Sequence, residues 1–237
     1  MKQVGGMFKV IKLRTIMVML LVVISVSLSI GIVNVVSREQ VPKPTYTIVL
    51  DSGHGGRDNG CSGRNGSVES EINLDIAKKL KGYLETLGIR VVMTRSDGNG
   101  LYEANADNYK QSDMEKRIEI INNASPDMVI SIHQNSYNDS SQRGAQAFYQ
   151  EDDEVSSNFA TAVQSQLVAQ LPNARKEANG GDYYILKGCG LPAVLVECGY
   201  LTNEEEEALL MSDEYKSKVA YSIMCGVVKY FDLCGND

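Results

Sequence analysis

Residues 47–54 read TIVLDSGH: a short apolar run, a carboxylate, two small residues and a histidine, followed at once by Gly55 and Gly56. An apolar run of this length bounded by glycines has the pattern of a buried strand, and the histidine falls where strand gives way to loop. The pattern recurs at residues 127–133, DMVISIH, and at 192–197, PAVLVE. His54 and His133 are the only two histidines in the chain. Open α/β folds collect their ligands just beyond the ends of their strands. If these three strands share one sheet, two imidazoles and the Glu197 carboxylate meet on one rim, which is the donor set of a metal site.

Working outward, helix and strand patterns alternate. Residues 69–87 read as a helix with Leu74, Ala77, Leu80, Leu84 and Leu87 on one stripe, ended by Gly88. Strands are predicted at 47–50, 90–94, 128–132, 144–149, 183–186 and 193–196, and further helices at 113–123, 155–171, 204–210 and 213–231. The polar stretch 96–112 is long for a connection, and such loops tend to be functional or mobile. The alternation predicts a single α/β domain over residues 46–237, a mostly parallel twisted sheet with helices on both faces. No internal repeat is present.

The first residues are of another kind. Lys2, Lys9, Lys12 and Arg14 make 1–15 a basic segment, and residues 16–36 carry no charge. An apolar run of about twenty residues suffices to span a bilayer, and the basic flank predicts a cytoplasmic N-terminus. Only Ser37 offers a small residue near the end of the run, so an N-terminal transmembrane signal-anchor is expected. Secretion after signal cleavage is the alternative. Residues 37–45, with Pro42 and Pro44, then form a linker to an extracytoplasmic domain.

Residues 1–39 hold five basic residues and one acidic, so the net charge of −7 for the whole chain leaves −11 for the remainder. A domain this acidic does not bind nucleic acid, which needs clustered Lys and Arg. The five cysteines, Cys61, Cys189, Cys198, Cys225 and Cys234, are odd in number and lack CxxC spacing. They indicate no disulfide framework, although one incidental pair would be compatible with export. A Cys–His nucleophile would have to borrow one of the two histidines, and that reading is set aside.

A catalytic zinc takes three protein ligands and leaves a position open. His54 and His133 supply two. The candidates for an oxygen ligand are Asp51, Asp58, Glu69, Glu71 and Glu197. Glu69 begins the helix after the Gly-rich loop and can return to the rim beside His54, whereas Glu197, fixed on a strand, suits a proton-transferring role.

These residues carry a family resemblance. DSGHGGRDNG, the E-S-E-I-N-L that begins at Glu69, SIHQN and PAVLVE, in that order, closely resemble the motifs of the zinc-dependent N-acetylmuramoyl-L-alanine amidases. The resemblance runs from about Thr47 to Phe231. It implies zinc held by His54, Glu69 and His133, with Glu197 as catalytic acid/base, and hydrolysis of the amide between N-acetylmuramic acid and the L-alanine of the peptidoglycan stem. Ser52 stands where the family usually has proline, and Cys61 where alanine is common. Asp51 is a candidate to orient an imidazole, Asn135 to hold a turn or meet substrate, and Arg95 and Arg117 to serve either structure or substrate.

The N-terminal apolar segment, the long stretch between Arg95 and Arg117 and the lack of added wall-binding modules are most similar to the germination-specific amidases of the spore cortex. That implies action in the cell wall or forespore intermembrane space as the first step toward muramic δ-lactam, with a regulatory partner protein as a possible control. Only ten residues separate His133 from Gly144, which leaves no room for a helix that plugs the site. The alternatives are a zinc peptidase cutting within the stem peptide and a non-catalytic, membrane-anchored scaffold of sporulation or division.

Overall fold

The computed structural model describes residues 15–25 and 46–231. The chain divides into two units, Met1–Lys43 and Pro44–Asp237. In the first, residues 15–25 form a helix, α1. The rest of the apolar run, residues 26–36, lies outside the described residues, as do the linker 37–45 and nearly all of the basic segment. Among the described residues no helix is long and apolar enough to cross a membrane.

The second unit is a six-stranded sheet flanked by helices, in chain order β1 (Thr47–Ser52), α2 (Glu69–Thr86), β2 (Arg90–Met93), α3 (Tyr109–Ala124), β3 (Met128–Asn135), β4 (Gln146–Gln150), α4 (Glu154–Gln170), β5 (Asn179–Gly181), α5 (Tyr184–Cys189), β6 (Ala193–Tyr200), α6 (Glu204–Met211) and α7 (Asp213–Phe231). The strand order is β2-β1-β3-β6-β4-β5. All neighbours run parallel except β4 and β6, so the sheet is mixed, with a parallel centre.

Central strands buried on both sides carry continuous apolar runs because each successive side chain needs a covered face. Ile48 and Leu50 of β1, with Ile130 and Ile132 of β3, join the core built on α2, α4 and α7. Val49 and Val129 point the other way and meet Ile121 of α3 with Ile185 and Leu186 of α5. The expectation of helices on both faces therefore holds. On α2, Leu74, Ala77, Leu80 and Leu84 are buried, but Leu87 is 46% exposed, because it caps the helix just before Gly88 takes a φ of 74°.

Several boundaries differ from those expected. Residues 183–186, predicted as a strand, belong mostly to helix α5, and the strand of this region is β5, Asn-Gly-Gly, which carries no apolar signal. Three adjacent residues, Tyr184, Ile185 and Leu186, are too few to separate a strand from one helical turn, and packing on the sheet decides. Helix α3 starts four residues early, at Tyr109, where Asn108 caps it by accepting from Gln111 N at 3.2 Å. Strands β3 and β6 continue past their predicted ends, so His133 and Glu197 lie within strands, while His54 sits beyond β1 as expected.

Candidate active site

The turn after β1 starts from an unfavourable backbone. His54 has φ 62°, a left-handed conformation that a side chain with a Cβ rarely adopts, and such strain persists only where the surroundings impose it. Two buried guanidinium groups impose it here. Arg95 donates to the carbonyls of Ser52 (2.9 Å), Gly53 (3.0 Å) and Ser70 (2.8 Å). Arg117 donates to the carbonyls of Ser52 (2.8 Å) and His54 (2.7 Å) while pairing with Asp51 and Asp113 at 2.6 Å each. Three successive carbonyls are thus held by two planar forks, whose geometry suits several fixed acceptors at once. Gly53 is required for packing: a Cβ there would lie 2.2 Å from the His133 ring.

The stretch 96–112, expected to be a functional or mobile loop, is a loop only up to Asn108, after which α3 begins, and that loop buttresses this turn. Gly56 N donates to Gly98 O at 2.8 Å, and Arg57 N to the Tyr102 hydroxyl at 3.0 Å. Leu101 N in turn donates to Asp113, tying the loop to the carboxylate that pairs with Arg117.

Glu69 is the first residue of α2, where the helix dipole favours an anion. Its Oε1 lies 3.2 Å from His54 Nε2 and 3.0 Å from His133 Nδ1, and accepts from Gln134 N at 3.1 Å. Its Oε2 accepts from Cys61 N at 2.8 Å. Burial alone would raise this carboxyl's pKa, but hydrogen bonds and charge from His133 and His54 hold it well below the carboxylate range. For His54, burial favours the neutral ring, yet Glu69 and Asp58 outweigh it and push the pKa up to about 9. One ligand atom from each of His54, Glu69 and His133 falls within 4.8 Å of the others, so these residues could hold a metal ion. Two imidazoles and a buried carboxylate that stays anionic form a donor set suited to zinc.

Glu197 pairs in register with His133 on the neighbouring parallel strand. Its Oε2 is buried and has no hydrogen-bond partner. Burial, opposed by His133 but assisted by Glu69, pushes its pKa up to about 7. This glutamate is poised to exchange a proton near neutrality.

The remaining expected residues fall out as follows. Asp51 does not orient an imidazole: it accepts from Thr94 Oγ1 at 2.7 Å, Ser131 Oγ at 2.7 Å and Arg117. Against the cost of burial, the Arg117 charge and the Ser131 hydrogen bond carry its pKa down to about 2. The carboxylate that braces a histidine is Asp58, 2.8 Å from His54 Nδ1. It was weighed above as a ligand, and its position four residues after His54 was the available signal for the bracing role. Asn135 uses its carbonyl to accept from Leu201 N at 2.9 Å, joining the ends of β3 and β6. Arg95 and Arg117 serve structure. Glu71 is exposed. Among the described side chains, Cys61, Cys198 and Cys225 are free thiols. Burial and the Glu69 charge raise the Cys61 pKa, so it is no thiolate nucleophile.

Sequence reasoning missed Asn73, which donates to Gly53 O at 3.1 Å and to Glu69 Oε1 at 3.3 Å. It also missed Glu207, which accepts from Ser67 Oγ at 2.7 Å and Asn65 N at 2.9 Å and so pins the loop leading into α2. Glu207 is one of four acidic residues in the first turn of α6, and nothing local marks it as a long-range clasp. A cavity of about 250 Å³ opens beside His54 and His133. The β3–β4 connection, residues 136–145, contains no helix.

A mixed sheet with two imidazoles and a carboxylate at its rim, and a second buried carboxylate beside them, could hold a metal ion next to a group that exchanges a proton. Residues 48–229 match the family described as N-acetylmuramoyl-L-alanine amidase, and the chain belongs to that family. It is 33% identical over 195 residues to the germination-specific N-acetylmuramoyl-L-alanine amidase of Bacillus subtilis (strain 168), covering 81% of this chain and 82% of that one. Among solved structures, the CwlD amidase from Clostridioides difficile, in complex with the GerS lipoprotein, matches with a TM-score of 0.76 and 35% identity, covering 80% of this chain and 100% of that one. The catalytic domain of CwlV from Bacillus (Paenibacillus) polymyxa var. colistinus matches with a TM-score of 0.71 and 29% identity over 79% of this chain and 99% of that one.

Proposed function

We propose that this N-acetylmuramoyl-L-alanine amidase is zinc-dependent and acts on spore-cortex peptidoglycan, opening the route to muramic δ-lactam. The observation that carries the metal assignment is the convergence of His54, Glu69 and His133 within 4.8 Å. When bound, zinc supplies a Lewis-acid charge next to the scissile carbonyl and eases attack by water.

The chain's own residues do the rest. Glu69 and the two histidines would hold the ion, and Asp58 fixes the His54 ring through Nδ1. Arg95 and Arg117 keep the backbone under His54 from relaxing. Glu197 takes the proton of the attacking water on a carboxylate oxygen and returns it to the departing L-alanine nitrogen. The C–N bond breaks, leaving a free lactyl carboxyl on the muramic acid and a free amine on the peptide. A pKa near 7 suits both halves of that transfer.

The cortex assignment is supported by the similarity to the germination-specific enzyme. Control by a lipoprotein partner is supported by the matching complex of CwlD with GerS. The apolar residues 16–36 support membrane anchoring with the catalytic domain outside the cytoplasm. Mass spectrometry of peptidoglycan fragments after incubation with the full-length protein, with and without zinc, tests the activity. Zinc-dependent release of peptides beginning with L-alanine is expected; cleavage inside the stem would favour a peptidase, and no cleavage a scaffold.

A further inference from the structure

The cavity beside the metal-ligand cluster has a wall that the proton transfer does not use. Tyr109, Lys110 and Met114 from α3 face Tyr183, Tyr184 and Ile185 at α5. The other Lys or Arg side chain lining this cavity, Arg117, is buried and committed to Asp51, Asp113 and backbone carbonyls. The Lys110 side chain is 61% exposed, and its ion pair is to Asp58 Oδ1 at 3.4 Å. Asp58 is already engaged by His54 through its other oxygen. A long contact between part-exposed charges contributes little, so the ammonium can turn to a better acceptor at small cost.

We propose that Lys110 receives the free α-carboxylate of the stem residue that follows L-alanine, making the enzyme selective for stems in which that group is not amidated. This rests on the amidase reading. The second residue of a peptidoglycan stem is a D-glutamate joined through its side-chain carboxyl, which leaves its α-carboxyl free or amidated. Six bonds separate that carboxyl carbon from the scissile carbonyl carbon, a reach of about 7 Å. Through the Asp58 contacts, Lys110 Nζ lies within about 10 Å of His54 Nε2. With a carbonyl bound at the ligand cluster, an extended stem can therefore reach Nζ with that α-carboxylate.

The test compares hydrolysis of two muropeptides that differ only in that α-carboxyl, free or amidated, by the full-length zinc-loaded protein and its Lys110→Met and Lys110→Arg variants. Wild type is expected to favour the free acid by about tenfold in kcat/KM, mainly through KM. Lys110→Met should lose that preference, with a loss about tenfold greater on the acid substrate than on the amidated one, and Lys110→Arg should keep it. Equal rates on both substrates by wild type would overturn the subsite. So would an equal loss on both in Lys110→Met, which would mark Lys110 as a support for Asp58 and His54. Cleavage of neither substrate by wild type would overturn the amidase reading itself, and the subsite with it.

Discussion

Glu69 and Glu197 are both buried glutamates beside His133, one at the start of a helix and the other within a neighbouring strand, and their surroundings differ sharply. Glu69 accepts from backbone and side-chain donors on both oxygens and lies between two imidazoles, so it stays ionised. Glu197 has an oxygen with no partner, and burial dominates, so its proton is held to about pH 7. One residue type, two environments, and two jobs follow: a fixed anion that attracts a cation, and a carrier that can pick up and release a proton.

The comparison breaks first on the Glu69 side. Glu69→Gln keeps the shape but removes the anion, and the account expects bound zinc, measured by elemental analysis, to disappear together with amide hydrolysis, a loss of about a thousandfold or more. Retention of zinc would move the anionic ligand elsewhere, with Asp58 the nearest candidate.

The rim that presents His54 to Glu69 depends on its guanidinium clamp. Arg117→Met leaves Asp51 and Asp113 buried without their cation and should cost about 3–5 kcal/mol in urea unfolding. A loss under about 1 kcal/mol would return Arg117 to the substrate-binding role that sequence left open.

A smaller effect sharpens the contrast in the metal-free protein. Glu69 has a folded pKa below its unfolded value of 4.5, so its contribution is present above that pH and is lost as pH falls. Glu197 has a folded pKa raised from 4.5 to about 7, so its contribution is complete below 4.5 and is lost as pH rises through 7. In EDTA, Glu197→Gln should therefore gain about 1–3 kcal/mol on wild type between pH 5 and pH 8. A flat difference across that range would mean Glu197 is not the titrating group.

The parts of this site that could be read in advance were those set by short-range pattern. A histidine beyond an apolar run, a glutamate opening a helix and a glutamate on a third strand are local signals, and the sheet brings their residues together. The polar supports were less legible because they are long-range. Asp51 lies three residues before His54, yet its partners Thr94, Arg117 and Ser131 come from three separate segments and draw it away. Asp58 assumed the bracing role because the tight turn folds it back on His54. Helix α5 was misread since burial against the second face of the sheet, not its own short pattern, determines its form.

The division of labour between the glutamates is tested most directly by measuring zinc content and amide hydrolysis on one preparation of Glu197→Gln. The account predicts a full complement of zinc with hydrolysis reduced by about 10²–10⁴-fold. Loss of zinc, or hydrolysis within about threefold of wild type, would contradict it.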